Sequence, residues 1–173
     1  MAFSGDETYD APIDSVFALF VDRDVVRARY EAAGDRDVEI VECGLDGGSE
    51  HGETVIRTQR TVDVDLPGFA RKVLKPTNTM VQVDRWSERD LDGARDGDFD
   101  IEVKGSPVKV HGTMRIEPTA GGGTRHTVEG KIEVKVPLIG GKIAGWAEGP
   151  SQQRLDAEYA FHRARLPPTQ PNT

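Results

Sequence analysis

The chain has 173 residues, the size of one ordinary domain. Its 22 basic and 30 acidic residues give a net charge of -8, and the charges are spread along the sequence. This balance disfavours a nucleic-acid binder that relies on phosphate neutralisation, and it also disfavours attachment to an anionic lipid surface. Glycine makes up roughly 11% of the chain against a usual 7% or so, which indicates many tight turns and therefore many short strands.

The N-terminal segment lacks the basic and apolar regions of a secretory signal, and no apolar stretch approaches the roughly 18 residues of a membrane span. We therefore expect a cytoplasmic protein without a membrane span. Cys43 is the only cysteine, so no internal disulfide can form, and we interpret it as a structural residue.

The first elements predicted along the chain are one strand and two short helices. The strand covers 3–9. Pro12 is suited to the first position of the first helix, which buries an aromatic-rich face that includes Phe17 and Phe20. Asp24 is the expected cap of the second helix, and Gly34 follows its end.

After Gly34 the hydrophobic period changes from 3.6 to 2, which predicts six further strands. A glycine-rich loop that includes Gly47, Gly48 and His51 follows the first of them, and a single helical turn is expected between 66 and 75. The six strands are expected at 37–43, 53–64, 79–89, 98–104, 108–117 and 125–136.

A long helix over 142–166 closes the predicted domain, which spans 1–166. The Gly149-Pro150 pair is expected to kink or break this helix. The polar, proline-rich tail at 167–173 is expected to be disordered.

Two segments carry a family resemblance. YDAPIDSVFALF at 9–20 resembles the strand-to-helix start of the START-like (SRPBCC) superfamily, whose helix-grip fold is shared with polyketide cyclases and the birch-pollen allergen. VPLIGGKI at 136–143 resembles one of its domain families of unknown function, family 2505. The resemblance spans about 2–166 and implies an α+β fold in which a curved antiparallel sheet of about seven strands wraps round the C-terminal helix. It also implies a cavity that often holds a lipid, polyketide or sterol.

Strand alternation places Arg60 and His126 on otherwise apolar inward faces. A polar group in an apolar cavity needs a partner, and it can orient a ligand's carbonyl or carboxylate. Alternatively, both side chains bond backbone groups or reach solvent near strand ends. For the other candidates for ligand contact, plain core packing is the favoured interpretation. The full candidate set is Thr58, Arg60, Trp86, Met114, His126, Trp146 and Tyr159.

Other polar features favour simpler interpretations. His111 shares the polar strand face with charged residues, and we expect a surface position for His162. The acidic run at 90–100 departs from a calcium-binding loop at Ile101 and Pro107. No motif for a phosphate, metal or other cofactor is found, and none is expected.

Three functions remain open. The leading hypothesis is a binding protein that encloses a small apolar ligand between the sheet and the C-terminal helix. The second is an enzyme resembling polyketide cyclases or dehydrases, with His126, Arg60 or Tyr159 as acid, base or orienting groups. The third is a protein-interaction module with a filled interior and an exposed apolar patch.

Two glycines lie on inward strand faces, namely Gly112 and Gly130. Glycine inside a strand marks a bend or a close approach of another group. We expect the sheet to curl at these two positions or to be approached closely there.

Overall fold

The computed structural model describes residues 1–45 and 52–167. The loop glycines Gly47 and Gly48, together with His51, lie outside the described residues. So does the tail from 168 onward.

Within these described ranges, seven strands form one antiparallel sheet, as the sequence predicts. The sheet order is β1-β7-β6-β5-β4-β3-β2, so the two edges are the first two strands of the chain. Observed and predicted strand ends differ by a few residues. The strands are β1 (Ala2–Tyr9), β2 (Arg36–Leu45), β3 (Thr54–Asp63), β4 (Thr77–Trp86), β5 (Arg95–Val103), β6 (Val108–Pro118) and β7 (Thr124–Val134).

Two short helices, α1 (Ile13–Phe20) and α2 (Arg23–Ala32), connect the edge strands β1 and β2. Pro12 is the residue before α1 and has an extended backbone, so it is not itself the first helical residue. Asp22, not Asp24, caps α2, and its carboxylate accepts hydrogen bonds from the backbone N–H groups of Asp24 and Val25 at 2.9 and 3.0 Å. The predicted cap lies one residue inside the helix, in its first turn.

The last helix, α3 (Gly140–Arg165), runs without interruption through Pro150. The alternative in which Gly149-Pro150 breaks the helix is therefore wrong. Proline removes one backbone hydrogen bond, whereas packing continues on both sides of it, with Ile143 and Leu155 buried. Tertiary packing over the sheet explains why the helix remains continuous.

The core lies between the inner face of the sheet, the two short helices and α3. A second, smaller apolar cluster lies where α3 begins, beneath the β3–β4 connection and its single 3-10 turn at Gly68–Ala70. Its buried members are Leu66, Ala70, Leu74, Val103, Val108 and Ile143. Full burial of each large aliphatic side chain contributes roughly 1.5 to 3 kcal/mol, which anchors the start of α3 to the sheet.

The inward glycines make room for two aromatic rings. Gly112 and Gly130 are direct partners between β6 and β7, and they are flanked in the same row by Phe99 and Phe3. The two rings meet over the glycines with their centroids 6.4 Å apart. A Cβ at Gly112 would lie 2.7 Å from the Phe99 ring, and one at Gly130 would collide with the Phe3 ring. Close approach is thus the reason for glycine at both positions.

Candidate functional site

His126 is the most unusual buried side chain in the sheet. It lies on β7 opposite Glu7 and Ile116, and only 2% of its surface is exposed. Among the described residues, neither ring nitrogen has a hydrogen-bond partner. The nearest aromatic rings are those of Phe20 and Tyr159, with centroids at 5.0 and 5.2 Å. Two unpartnered nitrogens inside an aromatic cluster are costly, because most buried polar atoms are hydrogen bonded.

Further unpartnered polar atoms lie close to His126. His162 on α3 is 1% exposed, and its Nδ1 atom has no partner. The expected surface position of His162 is therefore wrong, because it follows Leu155 by seven residues and Tyr159 by three, on the covered side of the helix. The hydroxyl of Tyr9 is also unpartnered. Phe20 contacts both histidines, with its ring centroid 4.8 Å from that of His162.

Burial keeps this cluster uncharged at neutral pH. It lowers the pKa of His126 to about 3, and the nearby Arg29 cation acts in the same direction. Burial likewise lowers the pKa of His162 well below its ordinary value, with the same cation as a further cause. Burial raises the pKa values of the Tyr9 and Tyr159 hydroxyls. We call these four residues the histidine–tyrosine cluster.

A buried ionic network lies beside the cluster. The Arg60 side chain is 3% exposed and the Asp35 side chain 1%, and the Nε–Oδ2 distance between them is 2.9 Å. Arg60 also donates to the Thr58 hydroxyl at 3.3 Å and to the Gln82 side chain at 2.9 Å. Arg154 on α3 donates to both carboxylate oxygens of Asp35. The network therefore joins α3 to the sheet and to the start of β2.

A second ion pair ties α3 to α2. The Arg29 Nη1 atom lies 2.7 Å from Glu158 Oε1. The guanidinium groups of Arg29 and Arg60 both lie over the Tyr30 ring, at 4.6 and 3.9 Å from its centroid. The ring therefore links the two ion pairs into one ionic network, in which the α3 side chains of Arg154 and Glu158 remain partly exposed.

Asp84 is the one carboxylate of this region that accepts a hydrogen bond from an amide side chain instead of an arginine. It lies buried on β4, and the Gln82 amide donates to it at 2.9 Å. Burial raises the pKa of Asp84, an effect that the Arg29 cation partly opposes. Asp84 thus adds a carboxyl with a raised pKa to the polar interior.

The structure brings most of the predicted site residues together. The His126 ring contacts the rings of both Trp86 and Tyr159. Thr58 and Arg60 are buried in the ionic network. The other two members of the set lie elsewhere, since Met114 packs at the margin of the main core and Trp146 belongs to the second apolar cluster.

Sequence reasoning missed several polar residues that face the same interior. On α3, Arg154, Glu158 and His162 recur every four residues, and this spacing places them on one helix face. On β4, Gln82 and Asp84 share the alternation of the buried Trp86. Both spacings are visible in the sequence. However, a row of polar and charged residues on one face of a helix or strand ordinarily indicates that the face is exposed to solvent.

A groove of about 610 Å³ lies elsewhere, over β1, β5, β6 and β7. No residue of α3 lines it, and most of its lining side chains belong to the outer strand face. Among them are Asp98, His111 and Lys131. His111 lies there 3.3 Å from Glu133 and is partly exposed, in agreement with its predicted position on the polar face. The groove also includes the Gly112–Gly130 pair with Phe3 and Phe99, and no member of the histidine–tyrosine cluster lines it.

The described residues contain no group of three or more histidine, cysteine, aspartate or glutamate side chains that could hold a metal ion. Among the helices described, none is both long and apolar enough to cross a membrane.

Solved structures with this fold come from distant proteins. TTHA0849 from Thermus thermophilus superposes with a TM-score of 0.62 at 16% identity, covering 95% of this chain and 96% of that one. The human StarD13 lipid transfer and protein localization domain gives 0.60 at 16% identity, covering 97% and 78%. The protein Ara h 8.0201 gives 0.54 at 17% identity, covering 95% and 98%. These likenesses show the START-like helix-grip fold.

Sequence comparison identifies closer relatives. Uncharacterized protein Rv0481c of Mycobacterium tuberculosis H37Rv is 26% identical over 149 residues, which are 82% of this chain and 83% of that protein. The family model described as "Protein of unknown function (DUF2505)" matches residues 5–166. Because this match spans nearly the whole chain, the protein belongs to the DUF2505 family, on a START-like helix-grip fold.

Proposed function

We propose that this protein is a cytoplasmic binding protein for a small apolar molecule that carries an uncharged hydrogen-bonding group. The ligand lies between the sheet and α3, with its polar group at the histidine–tyrosine cluster. The observation that carries this proposal is His126, whose two ring nitrogens are buried and have no partner in the part of the chain that the structure describes. A ligand hydroxyl supplies both a donor and an acceptor, and a neutral imidazole needs one of each.

The electrostatics favour an uncharged ligand. The low pKa of His126 means that a bound carboxylate finds a neutral imidazole instead of a cation. Within the described interior, Arg29, Arg60 and Arg154 already contact carboxylates. A ligand anion there would be left without a counter-ion, which is strongly unfavourable in an apolar site.

Ligand entry requires a ring to move. Phe20 contacts both histidines and Trp86, and it is the last residue of a helix of only eight residues. We therefore expect α1 to shift when the ligand enters.

Acid–base catalysis by the cluster is less well supported at neutral pH. An effective general acid or base has a pKa close to the working pH. The pKa of His126 lies near 3, and those of Tyr9 and Tyr159 lie above their ordinary value. Arg60 already donates to Asp35, Thr58 and Gln82 and is held in the ion pair with Asp35. Binding is thus the function that these side chains support best.

The proposal is tested with a matched pair of fluorescent probes, naphthol and naphthoate, which share one ring system and differ in charge. We expect the full chain to bind naphthol at least about tenfold more tightly than naphthoate, because only the alcohol satisfies the cluster without bringing in a charge. Substituting His126→Phe should weaken naphthol binding by about tenfold, which corresponds to the loss of one buried hydrogen bond.

The control is His111→Phe, which removes a histidine from the outer face of the neighbouring strand. It should leave both affinities unchanged. Equal affinity for the two probes would contradict the proposal, and so would naphthol binding that His126→Phe does not weaken. If neither naphthol nor naphthoate binds, only water satisfies the cluster, and the proposal is equally contradicted.

A further inference from the structure

Three connections lie side by side at one end of the sheet. They are the β3–β4 connection (64–76), the β5–β6 turn (104–107) and the segment from β7 into the first turn of α3 (135–142). Backbone hydrogen bonds hold these segments against neighbouring strands and turns. The N–H of Lys104 donates to the carbonyl of Thr79 at 2.9 Å, and the N–H of Lys135 donates to the carbonyl of Pro107 at 3.3 Å. We call these three segments the basic end.

The basic end carries six positive side chains and one negative side chain, that of Asp65. All six cations are exposed, and in the part of the chain that the structure describes none of them contacts a carboxylate. Lys142 lies over the Phe69 ring at 4.3 Å, which places the start of α3 beside the β3–β4 connection. The six cations are Arg71, Lys72, Lys75, Lys104, Lys135 and Lys142.

The rest of the molecule is acidic, since the whole chain has a net charge of -8. At the opposite end, the β4–β5 connection carries Glu88, Asp90 and Asp92. Its one cation, Arg89, contacts Asp14 at 2.9 Å. From the net charge alone, binding to an anionic lipid surface is disfavoured. The net charge does not show, however, that the positive and negative side chains are concentrated at opposite ends of the sheet.

Leu138 projects from the basic end. Its side chain is fully exposed, with a relative accessibility of 103%. The φ angle of Leu138 is 69°, which lies in the left-handed region. Leu138 is the central residue of a three-residue turn, in which the N–H of Ile139 donates to the carbonyl of Pro137 at 2.9 Å. This three-residue turn is strained for a residue with a Cβ, so the fold holds an apolar side chain outward at a conformational cost.

We propose that the basic end docks on an anionic lipid bilayer, with Leu138 inserted at the interface. Clustered lysines and arginines attract acidic headgroups, and an apolar anchor adds the second contribution that stable attachment requires. A bilayer accommodates both features, whereas a nucleic-acid phosphate backbone offers no place for the leucine. The acidic opposite end is repelled by the same surface, which fixes the orientation.

The proposal is tested by sedimentation of the full chain with vesicles. One set is pure phosphatidylcholine, and the other contains about one third phosphatidylglycerol. We expect binding to the anionic vesicles only, and loss of that binding when the salt concentration is raised from about 0.1 M to about 0.5 M. Equal binding to both vesicle types, or to neither, would overturn the proposal.

Two pairs of variants locate the surface. Leu138→Asn suits the left-handed backbone and should lower vesicle partitioning about tenfold. Leu91→Asn changes an equally exposed leucine at the acidic end and should have no effect. Lys72→Glu/Lys75→Glu should abolish binding, whereas the same charge change on the outer sheet face, Arg57→Glu/Lys131→Glu, should largely preserve it. Reversal of either ranking would overturn the assignment.

Docking and ligand binding are separable in this design. His126→Phe changes only the interior, so it should bind anionic vesicles as the unmodified chain does. Loss of naphthol binding with intact vesicle binding would therefore bear on the proposed function alone. Loss of vesicle binding in His126→Phe, with the fold intact, would contradict the surface described above.

Discussion

Among single residues, His126 and His162 make folding depend on pH. Both have pKa values lowered by burial, so the unfolded chain binds protons more readily than the folded one. The unfolded chain therefore gains protons first as the pH falls below about 6.5. The free energy of unfolding consequently decreases from there down towards the folded pKa of His126 at about 3.

Urea unfolding at pH 6.5 and pH 5 checks this linkage. We expect each histidine to cost about 2 kcal/mol of stability over that interval. The variant His126→Gln/His162→Gln should lose correspondingly less. Because the raised pKa of Asp84 acts in the opposite direction, the difference between the two proteins isolates the histidines. An identical pH dependence in both proteins would show that the histidines are not buried neutral.

The paired glycines give a second prediction for single residues. Gly112→Ala should destabilise the fold by about 1 to 3 kcal/mol, because its Cβ meets both the Phe99 ring and the backbone carbonyl of Glu129. For Gly130→Ala, the nearest atoms to the new Cβ all belong to the Phe3 ring, which is partly exposed and can shift, so its cost should be smaller. Thermal unfolding measures both effects. Gly141→Ala, with open space around its Cβ, is the control and should not destabilise.

Between elements, buried charges hold α3 against α2 and the sheet. Asp35 accepts from Arg60 and Arg154, and both the Asp35 and the Arg60 side chains are almost fully buried. Removing one partner of a buried pair leaves an uncompensated charge. The attachment of α3 therefore depends strongly on this carboxylate.

Asp35→Ala should lower the free energy of unfolding by about 3 to 5 kcal/mol in urea titrations. Arg36→Ala, next in sequence, breaks an exposed pair with Asp63 and should cost less than about 1 kcal/mol. Similar costs for the two variants would mean that water reaches the ionic network and screens it.

How far the sequence predicts these elements depends on the kind of pattern. Strict alternation along β6 and β7 predicts strands, and Gly112 and Gly130 stand out within them. The polar interior is harder, because Asp84 and Glu158 resemble solvated residues until their buried partners are placed nearby. Such partners come from segments far apart in sequence, as with Arg29 and Glu158. No periodicity within one segment contains that information.

For the whole molecule, the helix-grip fold alone leaves function open, since one fold carries many activities. The proposed function adds that ligand binding stabilises the native state. At a hundredfold excess over its dissociation constant, naphthol should stabilise the fold by about 2.7 kcal/mol. For a chain of this length, that raises the melting temperature by roughly 5 to 10 °C. Naphthoate at the same concentration should raise it by about half as much or less, and an equal rise would contradict the preference for an uncharged group.

In the proposed function, His126 is a buried, neutral imidazole whose two ring nitrogens form hydrogen bonds with the ligand. Nitrogen NMR of the labelled histidine ring, recorded with and without naphthol and across a pH series, tests it most directly. We predict that the ring remains neutral down to about pH 4 and that naphthol shifts its nitrogen resonances. A ring that titrates near its ordinary pKa of about 6.5, or nitrogen resonances that naphthol leaves unchanged, would contradict the claim.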